Sequence, residues 1–491
     1  MFSDYKASSI QKGAIVTGSG VNAMRDRYDL IIIGGGTAAF SAAIKANSYG
    51  VKALMIERAT LGGTCVNIGC VPSKNLLGAG EILHLAKNPH YPSVFSCDSE
   101  FDFRKTVSAK DNLVKTLRKQ KYHDVLSSLE NVELMEESAS FVTPNKVKVN
   151  GKMLEADKFI LATGSSPSVP RFKGIENVSY LTNNEVLSLE EKPPSMIVVG
   201  GRALGLEFAQ MYARFGTKVT VLQRSDRIIP DHEPEISQGL DNCLTKEGIE
   251  IVTGVKVEEV RQKNGSKFVR ALVNGKEQVF EAERLLMATG RRPNTADLHL
   301  ENTGVRLRED GAIVVNSEML TSTPHIWAGG DVVGEPMLET FAAKTGATAA
   351  ENALTGSHKK IDLLSVPSAI FTSPQVASVG MTEEQMMKKY GYCSCRTLLM
   401  KDVPKALTVN DTEGRIKMAV DPKKNNRIVG VHILASIAAD MIHEAVMAVK
   451  YRLTVDDIID TVHVFPTMSE AIKLVATSFK QDVSKLSCCA E

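Results

Sequence analysis

Apolar and polar positions alternate along this chain in two rhythms, and their order predicts a repeated strand–turn–helix unit. An apolar run, Asp29–Ile33, reads as a strand and gives way to a glycine turn and an alanine-rich helix through about residue 48. A second strand, Val51–Glu57, completes a βαβ opening. Residues 100–130 alternate Lys and Glu with apolar positions at helical spacing, which predicts a long amphipathic helix. A linker, Gly164-Ser-Ser-Pro-Ser-Val-Pro170, leads to a second strand–glycine–helix unit over Met196–Phe215. Leu285–Gly290 and Ile326–Asp331 are further strand-plus-glycine segments, and after about residue 356 no nucleotide pattern recurs. Residues 1–27 are mixed and polar, without the compact apolar block of a secretion signal.

Length and charge narrow the picture. A chain of 491 residues exceeds what one core can organise and should divide into roughly three or four domains. A formal charge of +1 gives no footprint for nucleic acid or an anionic membrane. No apolar run approaches the roughly 20 residues of a membrane span. A cytoplasmic location is expected. The eight cysteines include three close pairs, Cys65/Cys70, Cys393/Cys395 and Cys488/Cys489. In a reducing compartment such pairs point to redox chemistry or metal binding. Cys97 and Cys243 have no partner in sequence and read as apolar residues.

The first glycine turn, Gly34-Gly35-Gly36-Thr37-Ala38-Ala39, follows its strand directly and opens the helix. Gly34 permits the turn, Gly36 lets the backbone approach a pyrophosphate at the helix N-terminus, and Ala39 packs closely. Glu57 follows about 20 residues on, where a carboxylate accepts ribose hydroxyls. The second turn, Gly200-Gly201-Arg202-Ala203-Leu204-Gly205, has Arg202 where a glycine is expected, which predicts a crowded backbone approach. Its next strand, Lys218–Leu222, ends in Gln223-Arg224-Ser225-Asp226-Arg227. Gln223 removes the acid that NAD prefers, and Arg224 and Arg227 supply donors for a 2′-phosphate, so NADPH is expected.

The segment Gly62-Gly63-Thr64-Cys65-Val66-Asn67-Ile68-Gly69-Cys70-Val71-Pro72-Ser73-Lys74 carries the strongest local signal. In an ideal helix, residues five apart have Cα atoms about 8.7 Å apart, beyond disulfide reach. Bridging the two cysteines would need a distorted opening turn, and Gly62, Gly63 and Gly69 permit one. A helix N-terminus there would favour thiolate.

This segment resembles the active site of the flavin disulfide reductases, the family of glutathione reductase, lipoamide dehydrogenase and mercuric reductase. Ala162-Thr163-Gly164, Ala288-Thr289-Gly290 and Ala328-Gly329-Gly330-Asp331 extend the resemblance, which covers roughly residues 28–491. It implies an α/β fold with two Rossmann-like dinucleotide domains and a C-terminal α+β dimerisation domain. The expected boundaries are an extension over 1–27, an FAD domain over 28–165 and 285–355, an NADPH domain over 166–284, and dimerisation over 356–491. The resemblance further implies a redox disulfide in which Cys70 lies nearest the flavin and Cys65 exchanges with substrate. Lys74 is expected to pair with Glu207 beside the flavin, and Asp331 to contact the ribityl chain. Gly63, Thr64, Thr163, Gly164 and Gly290 join Gly34, Gly36, Ala39 and Glu57, and Gly200, Gly205, Arg224 and Arg227, as expected cofactor contacts.

Two features separate the family members. Disulfide-reducing members carry a His-Pro pair whose imidazole protonates the departing thiol, with a glutamate four residues after the proline. Here the sequence is His463-Val464-Phe465-Pro466-Thr467-Met468-Ser469-Glu470, and Phe465 stands at the histidine position. His463 lies two residues earlier, on the same face but without the same reach. The tail, Ser487-Cys488-Cys489-Ala490-Glu491, resembles that of the mercuric reductases, in which a cysteine pair binds Hg(II) and passes it to the redox pair of the other subunit. Hg(II) is soft and prefers thiolates. Phe371–Gly380 and Asp402–Leu407 also resemble mercuric reductase segments, and Tyr180 matches a tyrosine near the metal path. No Gly-Met-Thr-Cys-x-x-Cys segment precedes the core. The expectation is a homodimeric, cytoplasmic FAD enzyme that uses NADPH to reduce thiol-complexed Hg(II), with Cys65, Cys70, Cys488 and Cys489 as metal ligands. Reduction of a small organic disulfide and a non-catalytic soft-metal thiolate buffer are the alternatives. Cys393 and Cys395 are expected to be structural or incidental.

Overall fold

The computed structural model describes residues 26–97 and 100–485, so Cys488, Cys489 and the first 25 positions lie outside the described residues. The chain divides into two compact units. The first comprises residues up to Pro72, Ala109–Ser168 and Arg291–Ile361; the second comprises Ser73–Ser108, Val169–Gly290 and the chain from Asp362 onward.

The first unit is built on a parallel sheet. Arg27–Ile33 lies between Ala53–Ile56 and Lys152–Leu161, with Val132–Met135 beyond the former and Ile326–Ala328 beside the latter. Leu30, Ile31, Ile32 and Ile33 are all buried, as a strand covered on both faces requires. The helices Thr37–Ser48 and Glu339–Thr355 present Ala39, Ala42, Ala43 and Ala46 and Ala349, Ala350 and Ala353 to one shared core. Small side chains let these helices lie close, which fixes both helix N-termini. The amphipathic stretch after residue 100 is helical but interrupted. Phe103–Arg118 is followed by a π-turn, Lys119–His123, and a short helix, Asp124–Ser127. The wider turn carries Tyr122 against Phe40, ring centroids 4.9 Å apart.

In the second unit, Ser195–Val199 pairs in parallel with Lys218–Leu222 on one side and Arg284–Met287 on the other, and Glu250–Val252 closes the far edge. Residues 285–290 therefore group with the second nucleotide fold rather than with the first, as the expected boundary had it. Inter-strand hydrogen bonding to Val198 and Val199 decides this, and a glycine motif cannot. One sheet face packs Met196, Val198, Val219 and Val221 on the helix Ala203–Arg214, and the other packs Ile197, Val199 and Leu222 on a three-stranded antiparallel sheet. The remaining core is a five-stranded antiparallel sheet with Gln375–Gly380 and Arg427–Ala435 inside and Ser394–Leu399 at an edge. The helices Ala438–Tyr451 and Glu470–Thr477 cover it. Among the described residues, no helix is long and apolar enough to cross a membrane.

Candidate functional site: a dithiol beside a glycine turn

Around the two cysteines the helix breaks once. Gly63–Ile68 forms a short helix, Gly69 ends it, and Cys70 opens the long helix Cys70–Lys87. The break works because residue 69 has no side chain. A Cβ there would lie 2.9 Å from the Thr64 carbonyl oxygen and 3.1 Å from the Cys65 Cα. Folding back this tightly brings the Cys65 and Cys70 thiols into hydrogen-bond contact. That contact, then burial, then the nearby Glu339 carboxylate push the Cys65 thiol far above its usual range. Cys70 stands at a helix N-terminus, where the dipole stabilises a thiolate.

Three residues beside the dithiol are absent from the sequence-based expectation. Glu339, in the first turn of its helix, contacts Thr37 through a short hydrogen bond and also reaches Cys65. Tyr122 hydrogen-bonds Thr37 and feels the charge of both cysteines, and burial raises its phenol. Arg291 donates through Nε to Ser165 Oγ and through Nη2 to the Ser165 carbonyl, both at 2.7 Å. Burial lowers its pKa, while Asp331 and Cys70 favour its charge. Ser165 Oγ in turn donates to Asp331 Oδ2 at 2.6 Å. These residues are distant in sequence from the cysteines and follow no local motif.

The first glycine turn meets the dithiol loop backbone to backbone. A Cβ on Gly63 would lie 2.7 Å from the Gly36 Cα, so position 63 requires glycine for this approach, whereas a Cβ on Gly36 would make an ordinary 3.6 Å contact with Gly63. Gly36 caps Thr37–Ser48, whose first turn holds no acidic residue. A cavity lined by Gly34, Glu57, Arg58, Ala139, Thr163 and Asn294 opens beside it. Glu57 follows its strand and accepts from the Ala59 amide at 2.7 Å. Gly164 accepts from the Asn294 amide through its carbonyl.

In the second unit, Lys74, one turn along the helix that Cys70 opens, places Nζ 2.7 Å from Glu207 Oε2. The other Glu207 oxygen accepts from the Phe371 amide at 2.8 Å, and the Lys74 ammonium sits 4.6 Å from the centre of the Phe371 ring. Glu207 is on Ala203–Arg214, the helix of the second glycine turn. There Arg202 does not crowd the approach, correcting the expectation. Its side chain turns outward to a bidentate pair with Asp231 while its backbone caps the helix. Gly205 touches Gly200 so closely that a Cβ would collide with the Gly200 carbonyl. Gln223 accepts from the Gly201 amide at 2.8 Å and so braces the turn. Arg224 is exposed, whereas Arg227 spends Nη2 on the Pro230 carbonyl and has a buried Nε without a partner.

Residues 28–346 match the pyridine nucleotide-disulphide oxidoreductase family, and residues 366–476 match its dimerisation domain. The chain belongs to this disulphide oxidoreductase family. It is 43% identical over 486 residues to a mercuric reductase of Lysinibacillus sphaericus, covering 99% of this chain and 87% of that protein. A mercuric reductase of Staphylococcus aureus is 43% identical over 464 residues, covering 94% and 84%. Among solved structures, the Cu(II) complex of the HOCl-induced flavoprotein disulfide reductase RclA from Escherichia coli superposes with a TM-score of 0.83. That structure is 28% identical and covers 93% of this chain and 100% of its own.

As a disulphide oxidoreductase the chain uses FAD and NADPH. The dimerisation match supports a homodimer. The segment that distinguishes disulfide reducers carries no free imidazole. Phe465 is 44% exposed. His463 directs Nδ1 to the Thr461 carbonyl at 2.9 Å and Nε2 to Glu444 at 2.8 Å, so both ring nitrogens are engaged. Glu470 keeps one buried oxygen without a partner, and burial raises its carboxyl. Tyr180 is exposed, next to the bridge between Leu181 and Leu286.

Proposed function

We propose that this disulphide oxidoreductase reduces Hg(II) to Hg(0) with NADPH. The observation that carries this reading is that the same chain holds a close dithiol and carries Phe465 at the sequence position where a disulfide reducer has an imidazole. A leaving thiol must be protonated, and a phenyl ring cannot do that. A leaving metal atom needs electrons and no such proton.

In this reading the first unit holds FAD. Gly34, Gly36 and Ala39 would hold its pyrophosphate, Glu57 its ribose and Asp331 its ribityl chain, with Gly63, Thr64, Thr163 and Gly164 supplying close backbone. The second would hold NADPH at Gly200, Gly205 and Gly290, with Arg224 and Arg227 to receive the 2′-phosphate. When bound, the flavin relays the two electrons of NADPH to the Cys65–Cys70 pair. Lys74, fixed by Glu207 and Phe371, supplies a positive charge one helical turn from Cys70.

Cys488 and Cys489 of the partner subunit deliver thiol-complexed Hg(II), with Tyr180 beside the path. Transfer is stepwise: Cys65 forms one metal–sulfur bond as a delivering thiolate leaves, and Cys70 then displaces the second. Protons lost by the receiving thiols go to the departing ones, with Glu339 beside Cys65 as the nearest carboxylate. Two further electrons, supplied by a second NADPH, reach the metal, break both bonds, return both sulfurs as thiolates and release Hg(0). Hg(II) suits this exchange because two nearly collinear thiolates satisfy it. Dependence on NADPH and reduced thiols supports a cytoplasmic location.

The test compares substrates. Purified holoenzyme should oxidise NADPH rapidly with Hg(II) in excess thiol, and poorly with lipoamide or glutathione disulfide. Brisk turnover of either disulfide with none on Hg(II) would overturn the reading while leaving the family intact.

A further inference from the structure

A second sulfur cluster lies on the C-terminal sheet. Met381, Met386, Ala419 and Val429 form a small buried group against which Leu364, Cys393 and Cys395 pack, so four of seven side chains carry sulfur. Cys395 sits on the edge strand Ser394–Leu399, opposite Ala419. Cys393 immediately precedes that strand and packs on the same group, so both cysteines face one side of the sheet. Both are half-buried, and their thiols are in hydrogen-bond contact.

The surroundings favour the protonated thiols. Burial pushes both thiols up; Glu383 adds to this, Glu233 adds to it at Cys393, and Lys417 opposes it. Lys417 is itself held by Glu233 at 2.9 Å and by Glu235 and Glu383 at 2.7 Å. The three carboxylates are therefore matched to an ammonium and form no cation site of their own.

Spacing decides what the pair can hold. Residues two apart in a strand have Cα atoms about 6.6 Å apart, at the upper edge of disulfide geometry. Two metal–thiolate bonds of about 2.3 Å laid end to end span about 4.6 Å, within reach of parallel thiols on one face. The methionine thioethers add a soft wall, and thiolate with thioether is the donor set that selects soft cations.

We propose that Cys393 and Cys395 form a second metal site, separate from the redox dithiol, that takes a two-coordinate soft cation of the Hg(II), Cu(I) or Ag(I) class against Met381 and Met386. Binding Hg(II) breaks two S–H bonds, forms two S–Hg bonds and releases two protons to solvent, with no electron transferred. The site holds metal without reducing it, and it does not depend on the proposed reduction.

The test uses FAD-loaded protein carrying Cys65→Ser, Cys70→Ser, Cys488→Ser and Cys489→Ser, loaded with Hg(II) and dialysed against equimolar glutathione. About one Hg(II) per chain should remain, because a chelating pair outcompetes separate monothiols. Adding Cys393→Ser or Cys395→Ser should lower retention roughly tenfold or more. No retention in the parent, or retention indifferent to both changes, overturns the proposal. A footprint on wild-type holoenzyme needs no variant: Ag(I) should slow alkylation of Cys393 and Cys395 together while exposed Cys97 reacts as before. Unchanged labelling of the pair would equally end it.

Discussion

Glu339 shows how a single side chain tunes the dithiol. Its carboxylate is one of three influences that hold the Cys65 thiol above its normal range, after the Cys70 contact and burial. A negative neighbour disfavours thiolate, so removing that charge must lower the pKa. In reduced Glu339→Gln holoenzyme, the pH midpoint for Cys65 alkylation should shift downward; an unchanged or higher midpoint would contradict the assignment. Residue identities of this kind divide sharply in how readable they are. Gly34, Gly36, Glu57, Cys65 and Cys70 stand within short segments whose spacing carries the chemistry. Glu339, Tyr122 and Arg291 reach the dithiol only through tertiary packing, and nothing in their neighbourhood in the chain marks them. Arg202 was legible as an anomaly but not in its outcome, because Asp231 draws its side chain away.

At the scale of elements, the broken helix is the device that makes the dithiol. Gly69 packs its backbone onto Thr64 and Cys65, with no room for a methyl group. Gly69→Ala should cost about 1–3 kcal/mol through overpacking. The variant should unfold at lower temperature, and its Cys65–Cys70 disulfide should be reduced more readily in a glutathione redox buffer. Unchanged stability and an unchanged redox equilibrium would refute this role. Periodicity found the nucleotide strands and helices because buried parallel strands and amphipathic helices write themselves into local sequence. Two things escaped it. The π-turn Lys119–His123 adds no compositional signal. The partner of Arg284–Met287 is chosen by strand pairing with Ser195–Val199, a relation between segments about 90 residues apart.

At the scale of the whole molecule, the proposed delivery of metal by the partner's Cys488 and Cys489 to the dithiol is open to test. Cys488→Ala with Cys489→Ala should cripple turnover of thiol-complexed Hg(II) while FAD content and NADPH binding stay intact. Mixed dimers of that variant with a Cys65→Ala, Cys70→Ala chain should recover activity, since one complete site re-forms; recovery will be absent if delivery occurs within one chain. The central claim is that electrons from NADPH end on mercury. The measurement is elemental mercury released into the gas phase, set against NADPH consumed, with Hg(II) in excess thiol. The account predicts one Hg(0) for each NADPH with the wild type and none with Cys65→Ala or Cys70→Ala. NADPH consumption without mercury vapour, or vapour undiminished by loss of either cysteine, would contradict it.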